Sequence, residues 1–125
     1  MIKTSGAKAY QKQLERGAEG AKPEELIGFL FTHLIETLAK SRQFIAIKNF
    51  EGKANKINLS VDILTALEQS LDHKQGGELA SNLQALYQYS IKRLLEAHIN
   101  NDIKIIEEVM DLMREIQEGW QGILR

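Results

Sequence analysis

The side chains with the most chemistry to offer are three histidines, His33, His73 and His98, and the adjacent carboxylates Glu24/Glu25 and Glu107/Glu108. A metal site inside a helical protein needs Glu-x-x-His pairs, which put a carboxylate and an imidazole on one helix face. Leu30, Ser70 and Leu95 stand three residues before the three histidines, so that arrangement is missing. A phosphoryl-accepting histidine would sit exposed in a small, basic surround, whereas His33 is followed by Leu34-Ile35-Glu36-Thr37. Ordinary hydrogen bonding at the surface or core edge accounts for all three. Neighbouring carboxylates diverge on a helix and read as a solvated face. No P-loop, GxGxxG, GxSxG or HExxH pattern occurs. Gly76-Gly77 could offer backbone donors to an anion, but Glu78 follows where a phosphate loop has lysine. With no cysteine there is no thiolate nucleophile, disulfide or thiolate zinc site. The expectation is a protein without catalysis, metal or other cofactor.

What remains is a matter of surfaces and of the elements that shape them. The chain has 125 residues, 43% hydrophobic and 26% charged, the balance of one globular domain. The longest apolar stretch, Leu26 to Phe31, is far short of the ~18 to 20 residues of a membrane span, and no secretion signal pattern precedes it. No membrane insertion and a cytoplasmic location are expected. A net charge of −1 gives no broad attraction to nucleic acid, so none is expected as a partner. Residues 1–22 carry a local +3, leaving −4 on the rest of the chain.

Residues 1–22 hold Gly6, Gly17 and Gly20 and few large apolar groups, chiefly Ile2, Tyr10 and Leu14. They bury too little to offset their ordering entropy, so a mobile segment or short extra helix is expected there, with the folded domain over residues 23–125. Pro23 followed by Glu24 and Glu25 reads as a helix start. Ile27, Leu30, Phe31, Leu34, Leu38 and Ile45 then recur at helical steps to about Asn49. A break is predicted at Glu51-Gly52-Lys53, and a second helix over residues 54 to 72. Gly76-Gly77 marks a restart, after which Leu79, Leu83, Leu86, Tyr87, Ile91, Leu94 and Leu95 define a third helix. Asn100-Asn101 closes it, and Asp102 caps a fourth that runs to about residue 120. No stretch holds a strand alternation, and two valines face sixteen leucines. The class is all-α, and short connections between long helices predict an antiparallel up-down-up-down four-helix bundle.

The apolar arcs are wider than such a core needs. Leu26, Phe29, Phe44 and Ile47 widen the first helix, and Leu59, Ile63 and Ala66 the second. Leu86 and Tyr89 widen the third, and Ile105, Leu112 and Ile123 the fourth. These positions either pack the broader parts of the bundle or a dimer contact, or form grooves for a partner helix. On the third helix Tyr87 falls at the arc's centre and reads as core, while Tyr89 on its flank is the groove candidate. Arg93 is expected to pair with an acid on a neighbouring helix, and Trp120 to close the bundle end against the first helix.

The run Gly77-Glu78-Leu79-Ala80-Ser81-Asn82-Leu83-Gln84-Ala85-Leu86-Tyr87-Gln88-Tyr89, followed by Arg93-Leu94, Ala97, Asp102, Glu108-Val109 and Trp120, resembles the flagellar secretion chaperone family FliS. Pro23-Glu24-Glu25-Leu26-Ile27, Ile63-Leu64, Leu67 and Ser70-Leu71-Asp72 extend the resemblance upstream, over about residues 10 to 120. The departures are Lys22 where the family often has a Ser or Thr cap, His98 where Asn is common, and a divergent stretch from Phe44 to Lys56. The resemblance implies a four-helix bundle that binds the disordered C-terminal segment of flagellin, prevents its polymerisation and assists its delivery to the flagellar export apparatus. It implies an apolar client groove, for which the wheels offer Leu26, Phe29, Leu59, Ile63, Ala66, Leu86 and Tyr89, and an N-terminal lid, for which Tyr10 and Leu14 are the apolar groups at hand. A monomer or weak homodimer is expected. The competing readings are a bundle that only self-associates and a histidine phosphotransfer relay.

Overall fold

The computed structural model describes residues 23–124, in which four helices follow one another: α1 (Pro23–Ala46), α2 (Phe50–Gln69), α3 (His73–Asn100) and α4 (Ile103–Leu124). No connection between them exceeds three residues, so consecutive helices double back on each other. Each helix packs against two others, α1 on α2 and α4, and α3 on α2 and α4, closing a ring in chain order. This is the antiparallel four-helix bundle that the periodicity predicts, and no described residue is in a strand. The expected separate segment, residues 1–22, lies outside the described residues.

The predicted arcs supply the core. Phe31, Leu34 and Leu38 from α1 meet Ile57, Leu64 and Leu67 from α2, Leu94 from α3 and Ile106, Val109, Met110 and Met113 from α4, all fully buried. Their three- and four-residue spacing keeps each set on one helix face. Polar ties span the seams outside this core. Arg42 of α1 meets Glu107 of α4 at 3.2 Å. Glu68 of α2 accepts from the side-chain amides of Gln84 and Gln88 of α3 at 3.2 and 2.8 Å.

The first turn is not where glycine places it. The sequence predicts a break at Glu51-Gly52-Lys53, but the chain turns earlier, at Ile47–Asn49, and those three residues lie inside α2. Lys48 takes the left-handed conformation at φ 61°. Asn49 Oδ1 then accepts the backbone N–H of Gly52 at 2.9 Å and caps the new helix. Gly52 is needed for closeness: a Cβ there would come within 2.9 Å of the Phe44 ring, so the glycine lets α1 and α2 pack tightly. Buried Lys53 donates from Nζ to the His98 carbonyl at 2.9 Å and to Asn101 Oδ1 at 2.7 Å, placing a cation at the C-terminal end of α3.

The second turn also comes earlier than its glycines place it: Ser70–Asp72 connect the helices, inside the stretch predicted for the second helix, and Gly76-Gly77 falls within α3, whereas the third turn follows the sequence. Asp72 Oδ1 accepts from the backbone N–H groups of Lys74 and Gln75 at 3.1 and 3.2 Å. Asn101 closes α3 at φ 51°, and Asp102 Oδ1 accepts from the Lys104 N–H at 3.0 Å. Gly77 interrupts α3 at φ 50° and ψ −123°, a conformation that favours glycine. Nothing lies within 4 Å of a Cβ built there, so Gly77→Ala isolates backbone strain from crowding. It should lower stability by about 1 to 3 kcal/mol in urea denaturation. Gly28→Ala, also in open space but at an ordinary helical position, should raise stability by about 0.5 to 1 kcal/mol.

Candidate partner-binding cleft

At the end of the bundle where α1 and α3 begin and α2 and α4 finish, the helices leave a cleft of about 230 Å³. Ile27 and Phe31 line it from α1, Leu71 from the α2–α3 turn, Leu79, Ala80, Leu83 and Tyr87 from α3, and Ile116 and Trp120 from α4. Ser70, Asp72 and Gly76 complete the lining. The interruption at Gly77 gives the first turn of α3 its own direction, and Gly76 there already sits where a Cβ would come within 2.9 Å of the Ala80 Cβ. Leu79, 54% exposed, stands at the mouth.

The cleft has almost no polar character to spend on an ion or a reaction. Asp72 Oδ1 is committed to its helix cap, and the Ser70 hydroxyl donates to the Leu67 carbonyl at 2.6 Å. Burial pushes the Tyr87 hydroxyl up to about 12, so it stays neutral; its ring centroid lies 6.5 Å from that of Phe31. The Trp120 indole Nε1 is buried with no acceptor among the described residues. No group of three metal-ligating side chains occurs among the described residues. His33 is half-buried on α1, where desolvation holds its imidazole below the ordinary value against the opposing pull of Glu36. What such a cavity can do is take up apolar side chains.

The residues singled out in the sequence fall in several places. Leu26 is half-buried and Phe29 is 58% exposed on the first turns of α1, on the side facing α2. Leu59, Ile63 and Ala66 share the side of α2 that carries Gly52 and faces α1, at helical spacing from that glycine. Leu59 is half-buried there, but Ile63 and Ala66 are fully buried and belong to the core cluster. Their expected place in a surface groove is therefore corrected: α1 and α2 pack so closely, through Phe44 over Gly52, that this flank of α2 is covered. Ile105 is likewise core. Leu86 is half-buried and Tyr89 is 47% exposed, on the side of α3 that meets α4. Tyr10 and Leu14 lie outside the described residues.

Tyr87 is buried and Tyr89 exposed, as their wheel positions predict. Trp120 stands beside Ile27 and Phe31 at the bundle end, also as predicted. Arg93 finds its acid in Glu108 of α4, with Nη2 to Oε1 at 2.8 Å, and also meets Glu96 at 2.7 Å. The Tyr89 hydroxyl donates to the other Glu108 oxygen, so the α3–α4 seam carries a four-residue network. Arg93 first, and Tyr89 second, hold the Glu108 carboxyl below its ordinary value. A lowered carboxylate stabilises the fold above its unfolded value, and that contribution is lost as the pH falls through the lowered folded value. Glu108→Gln should thus lower the melting temperature by a few degrees at neutral pH. The gap to wild type should close as the pH is taken down through the carboxylate range, and an unchanged gap would place the effect elsewhere.

The periodicity missed Leu79, Ile116 and Gly76 as parts of one cleft, because it belongs to no single helix. The two signals present were the Gly76-Gly77 pair and a tryptophan at the end of the last helix. The opposite end of the bundle also shows exposed apolar side chains, Ile47, Phe50, Leu95 and Ile99. No described helix is long and apolar enough to cross a membrane.

Comparison with known proteins places this geometry in a family context. Residues 6–125 match the family model described as "Flagellar protein FliS". The chain is 38% identical over 125 residues to the flagellar secretion chaperone FliS of Salmonella typhimurium, covering 98% of this chain and 93% of that one. It is 36% identical to the flagellar secretion chaperone FliSB of Pseudomonas aeruginosa, covering 98% of both. Against the flagellar secretion chaperone FliS of Escherichia coli it is 34% identical, covering 99% of this chain and 93% of its relative.

Proposed function

The chain belongs to the FliS family, and from that premise we propose that it is a flagellar secretion chaperone that binds the disordered C-terminal segment of newly made flagellin. Bound in this way in the cytoplasm, flagellin is kept from polymerising and is handed to the flagellar export apparatus. The observation that carries the reading is the apolar cleft at the bundle end, opening beside exposed Leu79. A folded bundle has no need of that surface for its own stability, whereas an apolar partner does. Phe29 on the α1–α2 side and Tyr89 on the α3–α4 side extend the apolar surface beyond the cleft. A disordered segment can wrap several such patches, ordering only when bound. The ordering cost of about 2 to 5 kcal/mol keeps the complex releasable, which export requires.

The chaperone acts as a monomer or weak homodimer, without catalysis or cofactor. Its first segment, with Tyr10 and Leu14, serves as a lid that competes with the client. The direct test is flagellin assembly followed by light scattering. An equimolar amount of the protein should suppress filament growth, and flagellin lacking its C-terminal segment should no longer be bound. Undiminished filament growth in the presence of folded protein would contradict the proposal.

A further inference from the structure

We propose that the Trp120 indole N–H is the selectivity element of the end cleft, which takes a client residue offering both a bulky apolar side chain and a free backbone carbonyl. This rests on the client-binding reading above. Indole nitrogen is a donor only, and buried donors are almost always paired. Trp120 Nε1 is buried and has no acceptor among the described residues, in a cavity whose walls are otherwise nearly all apolar. The polar atoms nearby do not fill the gap. Neither the Ser70 hydroxyl, which is directed at the Leu67 carbonyl, nor Asp72, whose Oδ1 caps α3, accepts from the indole N–H.

The chemistry of the occupant follows by elimination. A water needs two to four polar partners, and beside the indole N–H the lining offers only Ser70 and Asp72, which already hold other groups. An acidic side chain would be desolvated with no cation on the lining, and a basic one has no acceptor to offer the indole N–H. An apolar side chain alone fits, since apolar cavities of about 150 Å³ already hold a benzene-sized group and this one has about 230 Å³. It would still leave the indole donor unpaired. An apolar residue that brings its own carbonyl satisfies both. Carbonyls inside a helix are committed to the N–H four residues on, whereas those of the last turn are free. The cleft therefore takes an apolar residue in the last turn of a client helix.

Trp120 is the sole tryptophan, so in uniformly 15N-labelled full-length protein its indole N–H gives one resonance. Adding a flagellin C-terminal peptide should move that resonance downfield and protect it from solvent exchange. Trp120→Phe keeps an aromatic ring but removes the donor. It should weaken the peptide by about tenfold, close to 1.4 kcal/mol, in samples that thermal unfolding shows to be folded at the titration temperature. Peptide binding with heat but an unmoved indole resonance overturns the inference and leaves the chaperone reading standing, as does full affinity in the phenylalanine variant. No binding by the wild type removes both. A shift that appears on deleting residues 1–17 or on dilution, with none on adding peptide, puts the chain's own first segment or a second copy in the cleft and overturns the assignment to a client.

Discussion

Ile63→Ala should cost about 2 to 4 kcal/mol of folding stability while leaving the affinity of each folded molecule for flagellin unchanged. The helical wheel puts Ile63 on the edge of the α2 arc, where a truncation would be expected to weaken binding and spare the fold. The structure reverses that division, because Ile63 has no exposed surface and packs in the same cluster as Leu34, Leu64 and Met110. Removing buried methyl groups there forfeits their transfer free energy and leaves a cavity that closely packed helices only partly close. Urea denaturation reads the loss as a lower midpoint with an unchanged slope. A stability loss below about 0.5 kcal/mol, the range of an ordinary surface change, combined with weaker client binding, would return Ile63 to the groove.

Leu79→Asp should do the opposite, weakening the client by about 30-fold or more, some 2 kcal/mol, while stability stays within about 1 kcal/mol of wild type. Leu79 stands more than half exposed at the mouth of the cleft, so little of the bundle's packing depends on it. Its position early in α3 also suits a carboxylate, which the N-terminal end of a helix favours. In the complex, however, the carboxylate would be desolvated against apolar client with no cation on the lining to meet it. Calorimetric titration and thermal unfolding of the same sample separate the two effects. Wild-type affinity in this variant would remove the cleft from the binding surface.

Local physics made most of the fold legible. Apolar residues at three- and four-residue steps marked four helices, and short polar links forced them antiparallel. The caps at Asn101 and Asp102 could be named because they act within a few residues along the chain. Tyr87 and Tyr89 separated on the wheel because two residues turn a helix by more than half a circle. The misplaced break at Gly52 shows where this reasoning stops. A glycine that breaks a helix and a glycine that lets a ring approach look alike in sequence, and only the position of Phe44 tells them apart.

The candidate site was less legible, for a related reason. A wheel reports which way a residue points, but how closely the next helix approaches decides whether that flank is covered. α1 covers Ile63 and Ala66, while Phe29 and Tyr89 are left exposed. The cleft itself arises where four helix ends diverge, which involves residues as far apart as Ile27 and Trp120. The family resemblance supplied the nature of the client, which the periodicity of this chain cannot encode.

The central claim, that this bundle captures the disordered end of flagellin, is tested most directly by calorimetric titration with a peptide of about 40 residues from the flagellin C-terminus, a length able to fold on binding. A scrambled peptide is the control, and circular dichroism is recorded on the same mixtures. The account predicts saturable one-to-one binding at about micromolar Kd or tighter, a negative heat-capacity change and a gain in helix beyond the sum of the separate components. Absence of binding by a folded sample, or equal binding of the scrambled peptide, would contradict it.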